Sequence, residues 1–204
     1  MTDAELRAWR KALREQLVAR RMEVAVETLE TWRHAIDERL DRNFPSLAQG
    51  TVGLCWPYRN EYDARFFAHR LREKGARTAL PVVVAPRTPL IFREWHPGVK
   101  MAHGVYDIPY PAESPEVAPT VLLVPMNGFD AQGYRLGYGG GFFDRTLEKL
   151  AASQRKPLVI GVTFELARID TIRPQPYDIP MDYIVTERAA YRRGERGLEP
   201  YALD

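Results

Sequence analysis

The chain has 204 residues, and its 29 Lys plus Arg against 27 Asp plus Glu leave a formal net charge of +2. That length supports one sizeable core, burying about 70% of the unfolded surface. With 45% hydrophobic and 27% charged residues, a disordered polyanion, a collagen and a low-complexity polymer are excluded. No apolar run approaches the roughly 20 residues of a membrane helix, and MTDAELRAWRKALR at the start has no apolar signal stretch, so a cytoplasmic protein without a membrane partner is expected.

From Thr2 to Asn43 there is neither Pro nor Gly. Leu6, Trp9, Leu13 and Leu17, and then Met22, Ala25, Leu29, Trp32 and Ile36, recur at helical spacing, which predicts two amphipathic helices within residues 3–43, either continuous or broken. Steps of about 100° set Arg7, Arg10 and Arg14 on a strip beside the first apolar stripe, where they either reach an anion or form a solvated face. Thr51 to Trp56 reads as a strand holding the single cysteine, Cys55, as a buried thiol. Asp63 to Lys74 reads as a helix stopped by Gly75, and Thr78 to Ala85 as a second strand, completing a β-α-β unit.

Eight of the 16 prolines lie between Pro81 and Pro119, so extended segments such as Leu90 to Trp95 are expected there rather than helix. Val121 to Pro125 is a predicted strand, Phe129 to Gly141 a glycine-rich loop, Phe142 to Ser153 a helix and Pro157 to Phe164 a strand. Tyr183 to Thr186 is expected to close the sheet. Strands alternating with helices predict a single α/β domain over 1–204, a mostly parallel sheet with helices on both faces and a ligand site at the carboxyl ends of its strands. The arginines of RAAYRRGERG, within the tail 188–204, read as decorating a solvated helix or tail. Basic and acidic residues are otherwise interleaved, so no nucleic-acid partner is expected.

The segment GYRLGYGGGFFDR, Gly133 to Arg145, follows a strand and opens a helix. Gly137, Gly139, Gly140 and Gly141 allow backbone N–H groups to approach a phosphate closely, and the following helix adds its positive end. Arg135 and Arg145 bracket the loop with planar forks of donors suited to phosphate. Asp144 is unsuited to direct phosphate contact and makes sense as a ligand of a Mg²⁺ ion bridging phosphate oxygens. The loop is neither a Walker A motif nor the dinucleotide fingerprint. The bland alternative is a turn that lets strand, loop and helix pack closely, with Arg145 on the helix surface.

RLGYGGGFFDR resembles the RLGxGxGYYDR signature of the 5-formyltetrahydrofolate cyclo-ligase (methenyltetrahydrofolate synthetase) family. RKALR, Arg10 to Arg14, resembles that family's KxxLR nucleotide-binding segment. WPYRNEYD, Trp56 to Asp63, resembles its folate-contacting segment with Glu61 at the acid, and YDIPMDYIVTE, Tyr177 to Glu187, resembles its HDxxxDxVxTE element. The resemblance spans roughly residues 6 to 187. It implies a fold similar to the ribose-phosphate isomerase and CoA-transferase type, and an ATP-driven, Mg²⁺-dependent conversion of 5-formyltetrahydrofolate to 5,10-methenyltetrahydrofolate with ADP and phosphate as by-products.

Carried over by position, the resemblance implies that Arg10, Lys11 and Arg14 hold ATP phosphates together with the loop residues Arg135, Leu136, Gly137, Tyr138, Gly139, Gly140, Gly141, Phe142 and Phe143. Trp56, Glu61 and Tyr138 to Phe142 would face the folate, Asp144 and Asp178 would hold Mg²⁺, and Arg145 or Arg14 would clamp the transferring phosphoryl group. A carboxylate at Glu61 suits the amino-pyrimidine edge of a pterin, which offers two donors. The open alternatives are a solvated loop acid at Glu61 and a core aromatic at Trp56.

The sequence departs from the pattern at Arg10 for Lys, Tyr177 for His and Phe142-Phe143 for Tyr-Tyr. It departs again at Asp107 to Pro111, where Gly-Ile-x-Glu-Pro is usual, and at MNGFD, which replaces a glycine-led turn. Competing readings are a folate- or nucleotide-binding paralogue without turnover and a sugar-phosphate isomerase or CoA transferase. A monomer binding only small molecules is the expected state.

Overall fold

A computed structural model describes residues 1–152 and 156–203. Thr2 opens the first helix, α1 (Asp3–Met22), with a reciprocal capping box: its side chain accepts from the Glu5 N–H and the Glu5 carboxylate accepts from the Thr2 N–H. Helix α2 (Val26–Asn43) is separate, so the two predicted helices are not continuous. The break at Glu23–Ala25 contains neither Pro nor Gly, which is why the sequence does not announce it.

Strands β1 (Thr51–Gly53) and β2 (Arg77–Val82) flank α3 (Ala64–Glu73). Helix α3 is capped by Asp63, which accepts from the Arg65 N–H, and it stops before Gly75 at φ 99°. The proline-rich region forms β3 (Ile91–Glu94) and a separate antiparallel pair, β4 (Met101–His103) and β5 (Pro109–Pro111). Then come β6 (Val121–Pro125), the short hairpin β7 (Gly128–Phe129) and β8 (Arg135–Leu136), α4 (Phe142–Ala151) and β9 (Leu158–Val162). The glycine-rich loop is therefore shorter than expected, because its first half is this hairpin. Ser153, the expected end of α4, lies outside the described residues.

β10 (Tyr183–Val185) does not close the sheet. β11 (Ala190–Gly194) and β12 (Gly197–Pro200) add an antiparallel hairpin to it, giving the order β12-β11-β10-β9-β6-β1-β2-β3. The tail is thus an edge hairpin, correcting the expected solvated helix or tail. Arg192 and Arg193 are exposed on it while Ala190 and Tyr191 are buried, so the cluster RAAYRRGERG combines strand residues with a turn at Gly197, whose φ is 121°. The five central strands, from β2 through β1, β6 and β9 to β10, are parallel, and β3, β11 and β12 run antiparallel to their neighbours.

Alternation along β6 builds both faces. Val121 and Leu123 pack with Ile36 and Leu40 of α2 and Phe67 and Leu71 of α3, whereas Leu122 and Val124 pack with Leu147 of α4. At about 25 cal/mol per Å² each fully buried Leu or Phe stabilises the fold by roughly 1.5–3 kcal/mol. Helix α1 stands apart from both layers: Leu17 packs with Leu136 and Ile172, which lays α1 across the hairpin beyond the carboxyl end of β6. That placement brings its arginines to the glycine loop.

Candidate active site

The segment after β1 turns back at Tyr58 to Glu61, with the Glu61 N–H donating to the Tyr58 carbonyl at 3.2 Å. Arg59 and Asn60 both take left-handed backbone, φ 49° and 57°. Asn tolerates that region, but Arg seldom does. The Arg59 carbonyl is held from outside by Arg21 Nε at 2.8 Å, so a side chain of α1 supports the strained turn. The turn carries Glu61 inward: Oε2 accepts from the Tyr58 N–H at 3.1 Å, and Oε1 is buried without a partner. Burial pushes the Glu61 carboxyl up to about 7, against the pull of Arg21, the Tyr58 N–H and Tyr138.

Arg21, 2% exposed, also donates to the Tyr138 hydroxyl at 3.0 Å. Burial first, and then the Glu61 charge, push that hydroxyl well above its ordinary range. Tyr138 meets Tyr58 edge-on with ring centres 5.5 Å apart, and Tyr106 lies over Tyr58 from the connection between β4 and β5 at 6.1 Å. Glu61, Arg21 and three tyrosines thus form one group joining the β1 turn to the glycine loop. A carboxylate in an aromatic surround can bind a flat ring that carries adjacent N–H donors.

The glycine loop itself turns at Gly139 and Gly141, φ 93° and 64°. A Cβ at Gly139 would stand 3.3 Å from the Arg14 guanidinium, so Arg14 lies directly over the loop and a side chain there would crowd it. Its Nε is buried without a partner. Burial and then the neighbouring Arg10 charge lower the Arg14 pKa, so an anion arriving at this point relieves both penalties. Arg145 folds back onto the loop, donating to the carbonyls of Gly140 at 3.0 Å and Gly141 at 2.8 Å. In this arrangement it fixes the loop's shape rather than presenting its fork outward.

The aspartates are paired. Asp144 accepts from Arg135 at 2.9 Å and from the Ile179 N–H at 3.2 Å, both on Oδ1. Arg135 is buried and its guanidinium lies 5.7 Å from the Phe143 ring centre, so it locks the loop's stem to α4. Asp178 accepts from Arg10 on both oxygens, at 3.2 and 2.5 Å, and Arg10 also donates to the carbonyls of Ile172 and Arg173. Arg10 and Asp178 therefore clamp the 172–178 segment to α1, and neither presents a free charge. Among the described residues no three His, Cys, Asp or Glu side chains gather as a metal cage.

The structure brings Arg14, Gly139, Tyr138, Gly140, Gly141, Arg145, Arg135 and Asp144 together at the loop and joins Glu61 to it through Tyr138. It does not bring Lys11, whose side chain is 74% exposed and faces Glu15 at 4.0 Å. Nor does Trp56 turn to Glu61: it packs edge-on to Trp95 at 6.1 Å and under the Arg65 guanidinium at 4.4 Å. Phe143 packs against the α4 side of the core, as does Phe142, whose ring also lies over Gly140 of the loop, while Tyr177 is 67% exposed. Cys55 is half-buried just past β1, and burial pushes its thiol up.

The family model of the 5-formyltetrahydrofolate cyclo-ligase family matches residues 6–187. The chain belongs to the 5-formyltetrahydrofolate cyclo-ligase family. It is 36% identical to the cyclo-ligase of Mycolicibacterium smegmatis over 68% of this chain and 74% of that one. It is 29% identical to that of Escherichia coli K12 over 70% and 80%. The solved structure of Aquifex aeolicus 5,10-methenyltetrahydrofolate synthetase is similar with a TM-score of 0.77 at 25% identity, covering 94% of this chain and 97% of that one. The Mycoplasma pneumoniae synthetase structure, at 24% identity and a TM-score of 0.71, shares the fold over 87% of this chain and 98% of its own.

Within this cyclo-ligase fold, sequence reasoning missed Arg21, Tyr58 and Tyr106. Arg21 was detectable: Arg10, Arg14 and Arg21 are spaced by four and seven, which puts them on one stripe of α1. Arg7, grouped with them by angle alone, is exposed. Tyr58 sits inside the recognised WPYRNEYD segment. Tyr106 carries no sequence signal, because it reaches the site through the β4–β5 hairpin and left-handed backbone, φ 59°.

Proposed function

We propose that this chain closes 5-formyltetrahydrofolate to 5,10-methenyltetrahydrofolate, with ATP as the phosphoryl donor and Mg²⁺ as the cation. The observation that carries the reading is that the two halves of the site each hold an unpaired buried group of the right kind. Arg14 lies over the glycine loop with Nε unpaired, and Glu61 lies beside Tyr138 with Oε1 unpaired. Tyr138 sits in the loop and belongs to both halves.

In this reaction the formyl oxygen attacks the γ-phosphorus of ATP and ADP leaves. The neighbouring folate amine then attacks the activated carbon, a proton leaves the amine, and phosphate departs with the former formyl oxygen. The glycine loop supplies N–H donors and Arg14 a fixed charge to the phosphates. Arg135 holds the loop's stem and Arg145 its crown, which keeps these donors aligned before the nucleotide arrives; holding the formyl oxygen in line with the γ-phosphorus between the two halves of the site is worth roughly 7–11 kcal/mol of the barrier. Glu61 binds the amino-pyrimidine edge, and the Tyr58 and Tyr138 rings flank it.

Asp144 fits a cation, because both its bonds fall on Oδ1 and Oδ2 is left to a metal, and Mg²⁺ is commonly held by one or two carboxylates together with substrate phosphates. When bound, that ion neutralises charge on the phosphate oxygens. Asp178 joins it only by exchanging Arg10. Purified chain mixed with 5-formyltetrahydrofolate should develop methenyl-folate absorbance with Mg-ATP and none without ATP. Product formation without ATP, or none with it, refutes the reaction.

A further inference from the structure

Three residues account for the buried side-chain nitrogen and oxygen atoms without a partner among the described residues: Arg14 Nε, Glu61 Oε1, and both polar atoms of the Asn127 amide. The first two lie in the two halves of the site. Asn127 is 1% exposed, yet neither Oδ1 nor Nδ2 meets a partner. Native interiors rarely leave an amide so, and one that persists calls for a missing partner.

Its place in the fold says where that partner comes from. Asn127 follows the carboxyl end of β6, the end at which ligands of parallel sheets bind. Its main-chain N–H donates to the Leu136 carbonyl at 2.9 Å, so its backbone runs along the Leu136–Gly137 peptide where the glycine loop begins. Thr163, just past β9, fixes the same turn by donating to the Met126 carbonyl at 2.8 Å. Beside Gly137 the space a side chain would fill is open. The surrounding run VLLVPM is apolar, and Met126 and Phe129 on either side are core residues, so packing alone gives no reason for an amide at this position.

We propose that the Asn127 side chain is a further binding group of this site, its Nδ2–H donating to an acceptor oxygen of the molecule seated at the glycine loop. The inference rests on the reading of that loop as the nucleotide and folate site. The oxygen belongs to a phosphoryl group of the nucleotide or to the formyl group of the folate, and the two are separable by experiment.

Asn127→Leu removes the amide and keeps the volume apolar. Calorimetric titration with Mg-ATP and, separately, with 5-formyltetrahydrofolate should show weaker binding of one ligand with the other unchanged, by about 3- to 10-fold for a neutral bond to the formyl oxygen and at least about 10-fold for a bond to a charged phosphoryl oxygen. The ligand that weakens identifies the oxygen. The ligand-free melting temperature should hold or rise, since an unpaired buried amide has been removed. Unchanged affinity for both ligands overturns the proposal, and so does a lowered ligand-free melting temperature, which would make Asn127 a packing residue. If the leucine variant does not fold, Asn127→Ala removes both amide atoms without added bulk or charge and should weaken the same ligand. These readouts do not use turnover: absence of ATP-dependent product from the unaltered chain fails the reaction, whereas unaltered binding by the variants fails the role of Asn127. An unaltered chain that binds neither ligand overturns both.

Discussion

Glu61 links the stability of the free chain to its ligand. The carboxyl is pushed up from 4.5 to about 7 by burial, whereas in the unfolded chain it titrates near 4.3. Below about pH 4 both states hold the proton. Between there and about pH 7 the unfolded chain releases it and the folded chain keeps it, so folding stability falls as pH rises through this window and levels off above it. At about 1.4 kcal/mol per tenfold change in the proton equilibrium, the whole loss is at most about 4 kcal/mol. Glu61→Gln removes the titration. Urea unfolding of both proteins at pH 5 and pH 8 should therefore show the variant gaining on the parent by about 2–3 kcal/mol between the two pH values. Other acids cancel in the comparison. Binding runs the other way on the proposed role of Glu61, in which the folate edge needs the ionised form: parent affinity for 5-formyltetrahydrofolate should rise from pH 6 to pH 8, while the variant binds about 10- to 100-fold more weakly at pH 8, the worth of a charge-assisted bond. A stability difference that does not move with pH would refute the buried, proton-holding carboxyl.

Arg14→Ala should raise the KM for ATP at least tenfold while lowering stability by less than about 1 kcal/mol, because Arg14 Nε makes no bond in the free chain; an unchanged KM for ATP removes it from the phosphate site. Asp144→Asn should abolish most Mg-ATP turnover and also destabilise by about 1–3 kcal/mol, since it uncharges the partner of buried Arg135, and thermal melting alongside turnover tests both halves. Gly139→Ala forces a side chain onto backbone at φ 93° and to within 3.3 Å of Arg14. About 1–3 kcal/mol of strain should appear in the melt together with weaker ATP binding, and normal values of both would argue for a loop that yields. Arg10→Ala should cost about 3–5 kcal/mol in urea unfolding by leaving the buried Asp178 carboxylate without its countercharge, held only by the Gln175 N–H at 2.6 Å.

What the sequence conveys well is whatever is repeated locally. The apolar run Val121 to Pro125 is a strand over those same residues, because burial on both faces demands side chains of one kind at every position. Asp63 and Gly75 mark α3 because capping chemistry is local. The tail reads as solvated because RAAYRRGERG is short and rich in charge, a composition shared by an edge strand and a solvated coil; pairing of β11 with β10 decides between them, and that contact lies outside the segment.

The site divides along the same line. The glycine loop was legible because its backbone conformation requires glycine wherever it occurs. The Arg10–Asp178 clamp was not, since its partners are separated by 168 positions in the chain. A motif records which charges a site contains, and only the fold shows which of them are spent on each other. Asp178 is satisfied by Arg10, and Arg145 by the loop carbonyls, whereas Arg14 and Glu61 keep unpaired buried atoms. Free energy for binding is stored where a group is desolvated and still unpaired, so the residues that answer a ligand most strongly should be Arg14 and Glu61.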